Sequence, residues 1–282
     1  MNSIKKIKPI LYILLALAAS ASVIILHNIL FVFLSYIFNI TKAPILEWLL
    51  SADNYNRFDI LKYPLMILLF YFLYKKISNK QAKPDVSWDL KKGIIFSIIL
   101  GIGFGGISFL WINFAQYALS GVKFIRESLE IMDYSNKSYS QGAALLLILA
   151  GGILGPVMEE LLFRGVVFGL LEKVKKGWFA VFFSALLFGI AHMTFVQSVY
   201  TFIMGFIAGT IYLKTRNILW PVIMHITINT VASLSSFSQF QSYLGVLEKF
   251  TVIMTIPLLI IVYKAVKSRK KINLKNTALD YV

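Results

Sequence analysis

Apolar residues run along this chain in long blocks separated by short polar segments. Eight blocks can be drawn, over residues 9–40, 60–74, 93–119, 141–171, 177–193, 196–213, 218–236 and 244–263. Most approach the ~20 residues that a helix needs to cross a hydrocarbon core of ~30 Å. Only helices satisfy their own backbone within one such segment. The pattern therefore predicts an all-α, polytopic transmembrane helical bundle of about eight spans. The second block is the weakest, because Lys62 intrudes on a short apolar run. The fifth and sixth are joined near Thr194 by a tight connection without charge. Lys5, Lys6 and Lys8 precede the first block, and small residues follow from Ala16 to Ser22. That resembles a signal peptide, but the apolar run continues to Ile40, too long for a signal core, and reads as an uncleaved span.

Composition agrees, with 58% hydrophobic residues and a mean hydropathy of +0.75. The blocks divide into N-terminal helices and an outer loop (1–140), a central core (141–236), and a last helix with a basic tail (237–282). A net charge of +15 first suggests nucleic acid. Its distribution excludes that partner, because the basic residues cluster in short segments between apolar blocks, as cytoplasmic loops do. With eight spans and both termini in the cytoplasm, inner segments hold 20 basic residues and outer segments seven. The expected setting is a multi-pass protein of a bacterial or archaeal cell membrane. There is no cysteine, which removes disulfides, thiolate-bound zinc and a thiol nucleophile.

Of 28 basic and 13 acidic residues, Glu159, Glu160 and Arg164 stand out deep within an apolar block. Charge at that depth is costly and is usually kept for function. As one helix, the fourth block of about 31 residues would be roughly 46 Å long, more than the bilayer requires. Gly151, Gly152, Gly155 and Pro156 offer a kink, three residues before Glu159. Such a kink is tolerated where protein or a wet cavity satisfies the freed carbonyl.

Glu160 and Arg164, four apart, share one helix face in the favourable order for an ion pair. Glu159 points about 100° away and needs another neighbour. His192 lies late in the fifth block; His225 and Asn229 lie four apart in the seventh. Each of these could be a polar staple between helices. Their depths argue otherwise. Glu159 is 14 residues from Lys173, roughly 21 Å, and His192 is 16 from Lys176, roughly 24 Å. Asn229 and His225 are 13 and nine residues from Arg216, roughly 20 and 14 Å. The three helices thus carry polar groups within about two turns of one level. The set suits amide hydrolysis: a carboxylate to take a proton from water, an imidazole to orient it, and N–H donors for an oxyanion.

The motifs Glu159-Glu160-x-x-x-Arg164, Phe188-x-x-x-His192 and His225-x-x-x-Asn229 resemble the CPBP intramembrane protease family. That family includes CAAX prenyl endopeptidases of the Rce1 type and bacterial bacteriocin-processing and self-immunity proteins. The resemblance covers about 141–236. It implies that Glu159 activates water with help from His192, and that His225 and Asn229 bind the oxyanion. It also implies that Glu160 and Arg164 hold the site together, and that peptide bonds of membrane-associated substrates are cut. No cofactor is implied. Three alternatives remain: a zinc version using His192, His225 and a glutamate, a proton-coupled transporter, and a non-catalytic immunity protein.

Weaker signals read as packing. Gly101, Gly103, Gly105 and Gly106 are superficially like a dinucleotide loop, but no strand precedes them, and close helix contact is expected. His27 has no polar companion nearby in sequence and reads as packing or interfacial. Trp48, Trp88, Trp178 and Trp220 fit an interfacial belt. Loop 120–140, with Glu127, Glu130 and Asp133 beside Lys123 and Arg126, reads as a solvated helix. The site is expected to open to the cytoplasm or sideways into the bilayer.

Overall fold

A computed structural model describes residues 2–51, 55–78, 83–140, 144–234 and 242–268. The end of the basic tail, the tip of the segment between the second and third spans, and the junction at 141–143 lie outside the described residues. Ten helices account for most of the rest, and no strand occurs among the described residues. We number them α1 (Asn2–Thr41), α2 (Pro44–Leu50), α3 (Tyr55–Ile77), α4 (Leu90–Ala118), α5 (Lys123–Ser140), α6 (Leu145–Val174), α7 (Trp178–Ile190), α8 (Phe195–Thr215), α9 (Leu219–Leu234) and α10 (Leu244–Lys267). Each of the eight apolar blocks has its helix; α2 and α5 are additional.

Five helices are long and apolar enough to cross a membrane: α1, α4, α6, α8 and α10. Two more are apolar but shorter, α7 and α9. The eighth, α3, has 23 residues with charges near both ends. The chain is a helical membrane bundle. Its N-terminal helix is peripheral, with Ile10, Leu14, Ile25, Val32 and Phe33 all exposed. Apolar surface of that extent is tolerated only where lipid replaces water.

The core forms around α6, whose residues 161–172 are all buried. Helix α4 begins where Asp89 accepts from the Lys92 backbone N–H at 2.8 Å, an N-cap that fixes its start. It lies against α9 and α10 through its glycines. A Cβ at Gly103 would stand 2.4 Å from the Met254 carbonyl oxygen, and one at Gly106 2.4 Å from that of Thr251. These residues are a packing stripe.

Helix α7 ends at Ile190, sooner than expected, because the chain reverses through Ala191–Thr194 with Met193 at φ 63°. At 13 residues it is roughly 20 Å long, so His192, half-buried, sits just past the end of a helix shorter than a full span. The tryptophans divide. Trp48 and Trp178 are exposed, as a belt requires, whereas Trp88 and Trp220 are buried against each other with ring centroids 6.4 Å apart. Their neighbour Gly93 has no side chain, which makes room for the Trp220 indole.

Candidate active site in the membrane core

The expected kink in α6 takes the form of two π turns, Ile148–Leu154 and Leu161–Val167, on either side of a short α segment, Gly155–Glu160. The first explains a sequence position. In π geometry the Gly155 N–H reaches back to the Ala150 carbonyl, not that of Gly151. The next N–H in that register would come from residue 156, a proline without one. Gly151 therefore has a carbonyl that its own helix does not pair. Asn229 Nδ2, from α9, donates to it at 3.0 Å.

Glu160 and Arg164 are fully buried, with Arg164 Nη1 donating to Glu160 Oε1 at 2.9 Å. His225 Nδ1 lies 2.9 Å from the same oxygen. The Arg164 guanidinium also lies over the Phe188 ring at 4.7 Å, a cation–π contact. A carboxylate on Nδ1 fixes a tautomer in which Nδ1 carries the proton and Nε2 faces outward. That Nε2 is 3.7 Å from Glu159 Oε2. Glu159 thus has the separate neighbour its position on the helix demanded, and that neighbour is His225. Its side chain is 27% exposed, against none for Glu160.

Glu159, His192, His225 and Asn229 line one cavity of about 350 Å³. Glu160 and Arg164 lie behind it. His192 Nδ1 is 2.9 Å from the Phe188 carbonyl oxygen, which leaves Nε2 for other partners. A second cavity of about 380 Å³ reaches Glu159 and His192 from another direction. It is apolar, lined by Leu17, Ala21 and Ile24 of α1 and by Leu187 and Ile190 of α7. Among the described residues no group of three or more His, Asp or Glu side chains is arranged to hold a metal ion.

Sequence reasoning missed part of this wall. Asp59 and Tyr63 of α3, and Gln197, Tyr200 and Thr201 of α8, also line the first cavity. Asp59 is buried in an ion pair with Lys62, whose Nζ is 3.2 Å from His27 Nδ1. His27 therefore has a polar companion, supplied by another helix. Lys62 does not interrupt the second span but neutralises its acid. The signal was present as an Asp–Lys pair three apart ahead of an apolar run.

The expected opening at the basic end of the bundle does not match the lining. The helices that line it contribute residues from their middle or from their opposite end: Asp59 and Tyr63 of α3, Leu147 to Glu159 of α6, Gln197 to Met204 of α8, His225 to Ser233 of α9. The reason is the density of side chains beyond Glu160. Residues 161–172 are buried, and ion pairs close that end: Arg216–Glu172 at 2.9 Å and Lys214–Asp85 at 3.0 Å.

A helical membrane bundle with paired glutamates, an arginine and two histidines converging at mid-depth defines a class of intramembrane site. Residues 141–231 match the family model described as Type II CAAX prenyl endopeptidase Rce1-like. The chain is similar to YdiL of Bacillus subtilis, a candidate membrane peptidase, with 31% identity over 102 residues, 36% of this chain and 42% of YdiL. It is also similar to the membrane-embedded CAAX protease MroQ of Staphylococcus aureus, with 32% identity over 111 residues, 34% of this chain and 45% of MroQ. Each match spans less than half of the relative's length. No solved structure matches the chain.

Proposed function

We propose that the protein is an intramembrane endopeptidase that cuts peptide bonds of membrane-associated peptides or proteins with a glutamate-activated water. The observation that carries this reading is Glu159. It is a partly exposed carboxylate at mid-membrane, 3.7 Å from His225 Nε2, in a cavity large enough for water and a peptide backbone. Glu159 removes a proton from water as its oxygen attacks the carbonyl carbon. His192 Nε2 orients that water. Asn229 uses one amide hydrogen on Gly151; the second is free to donate to the oxyanion. His225 contributes from the other side through Nε2 when that atom is protonated. As the C–N bond breaks, Glu159 returns its proton to the leaving amine, and the products are an acid and an amine. Glu160 and Arg164 are positioning residues, acting through Nδ1 of His225.

The family match, 141–231, falls within the segment read as the catalytic core, 141–236. The apolar cavity beside α1 suits the lipid-embedded part of a substrate, while the polar cavity takes the chain to be cut. The charge bias, 20 basic residues against seven, supports cytoplasmic termini. The test is a cleavage assay on purified protein with a peptide library. Glu159→Gln keeps the shape and removes the base, so cleavage should vanish while unfolding is unchanged. Wild-type turnover by this variant would exclude Glu159 as the base.

A further inference from the structure

We infer that the polar cavity opens on the extracytoplasmic face, so that peptide segments exported or presented outside the membrane are the class of substrate it admits. The substrate clause rests on the peptidase reading; the orientation does not.

Two independent observations combine. One is the direction of the cavity. Glu159, near the middle of α6, is its deepest carboxylate. From there it runs toward the end of the bundle that carries α5. Gln197 and Tyr200 belong to the first turns of α8 at that end, Ala232 and Ser233 to the last turn of α9, and Asp59 to the start of α3. No lining residue comes from the first turn of α7 or α9 or the last turn of α3, α6 or α8, which form the other end. There the Arg216–Glu172 and Lys214–Asp85 pairs and the buried run 161–172 make a floor.

The other observation is charge. The floor end carries Lys75, Lys76, Lys83, Lys91, Lys92, Lys173, Lys175 and Lys176 with few acids. At the α5 end Lys123, Arg126 and Lys137 are matched by Glu127, Glu130 and Asp133 on the same helix. Two of those pairs are in contact, Lys123–Glu127 at 3.7 Å and Lys137–Asp133 at 2.6 Å, both well exposed. Clustered Lys and Arg mark the cytoplasmic side, and the eight at the floor end outnumber the three on α5. Helix α5 is anchored across that face where the Val196 N–H of α8 donates to Ser128 Oγ at 2.8 Å, and Trp111 Nε1 of α4 donates to the Val196 carbonyl at 2.9 Å. The floor is therefore cytoplasmic and the cavity points outward.

The chain has no cysteine, so single-cysteine reporters are clean. Ala232→Cys reports the cavity, Glu130→Cys the α5 face, and Lys175→Cys the floor face. Right-side-out and inverted membrane vesicles are treated with a membrane-impermeant maleimide. Ala232→Cys and Glu130→Cys should label in right-side-out vesicles, and Lys175→Cys in inverted ones, with at least a tenfold preference each way. The reverse pattern overturns the orientation. Labelling of Ala232→Cys from the Lys175 side, or from neither side while Glu130→Cys reacts, overturns the direction of the cavity. A quenched peptide that the purified protein cleaves is then added to each vesicle type. Cleavage by right-side-out vesicles alone completes the inference, and cleavage by inverted ones alone refutes it. If labelling is as expected but the purified protein cleaves no peptide, the peptidase reading fails and the orientation stands.

Discussion

Replacing Asn229 should have two separable effects, and a second substitution in another helix should repair one of them. Asn229 donates to Gly151 because the π turn and Pro156 together leave that carbonyl without a helical partner. Asn229→Ala leaves a half-buried carbonyl at the cavity wall without its donor, where full burial would cost roughly 1–3 kcal/mol. Measured interhelical hydrogen bonds in membranes are weaker, about 0.6 kcal/mol on average and at most about 1.7. We therefore expect the lower part of that range, about 1–1.5 kcal/mol. At roughly 2–4 °C per kcal/mol the melting temperature in detergent should fall by roughly 2–6 °C. Pro156→Ala restores an N–H in the register that lacks one. In the Asn229→Ala background it should recover most of the lost stability, because the carbonyl regains a donor from its own helix. Cleavage should not recover, since the cavity still lacks the second amide hydrogen. Thermal unfolding of wild type, both single variants and the double variant gives the coupling energy, and a peptide-cleavage assay on the same four gives activity. Additive losses in stability would refute the account of the carbonyl. Restored cleavage in the double variant would show that Asn229 acts only as a clamp.

Three further outcomes follow from the packing. Arg164→Met should cost about 3–5 kcal/mol, because it strands Glu160 fully buried beside His225. Adding Glu160→Leu should recover much of that in thermal unfolding without returning cleavage, and a destabilisation that persists would mean that the pair is not coupled. Gly103→Ala and Gly106→Ala should each lower stability by about 1–3 kcal/mol through collision with α10 backbone, while Gly105→Ala, whose Cβ would meet Thr251 at 3.5 Å, should be nearly neutral. Purified protein should cleave peptide after exhaustive chelation; loss on chelation with recovery on zinc would move His192 and His225 to ligand roles.

How much of this was legible in sequence depended on whether partners were local. The eight helices could be read because each is a block of apolar residues. The Glu160–Arg164 contact followed from spacing of four on one helix. The common depth of Glu159, His192, His225 and Asn229 could be counted from the basic loops. What could not be read required the azimuth of one helix against another. His27 and Lys62 are 35 residues apart and meet only because α1 and α3 pack together. Asp59 enters the cavity wall from a helix whose own segment carries no family motif. Trp88 and Trp220 lie at block ends, where composition suggests a lipid interface, yet they are buried against each other and Trp220 fills the space beside Gly93. The course of the cavity through the bundle could not be read for the same reason. Depth along one helix does not reveal which end of the bundle its neighbours fill.

The π turns of α6 bear on how this helix can change over generations. Each accommodates roughly one residue more than a regular turn would hold. Deleting a single residue within Ile148–Leu154 would let the turn close as ordinary α-helix and leave the hydropathy of the span almost untouched. Because the extra residue is what the wide turn absorbs, the segments on either side would keep nearly their phase, and what would go is the displaced register that presents the Gly151 carbonyl to Asn229. Single-residue gaps in this stretch, almost invisible to hydropathy, are therefore the lesions with which to expect a folded span that has lost its clamp to α9.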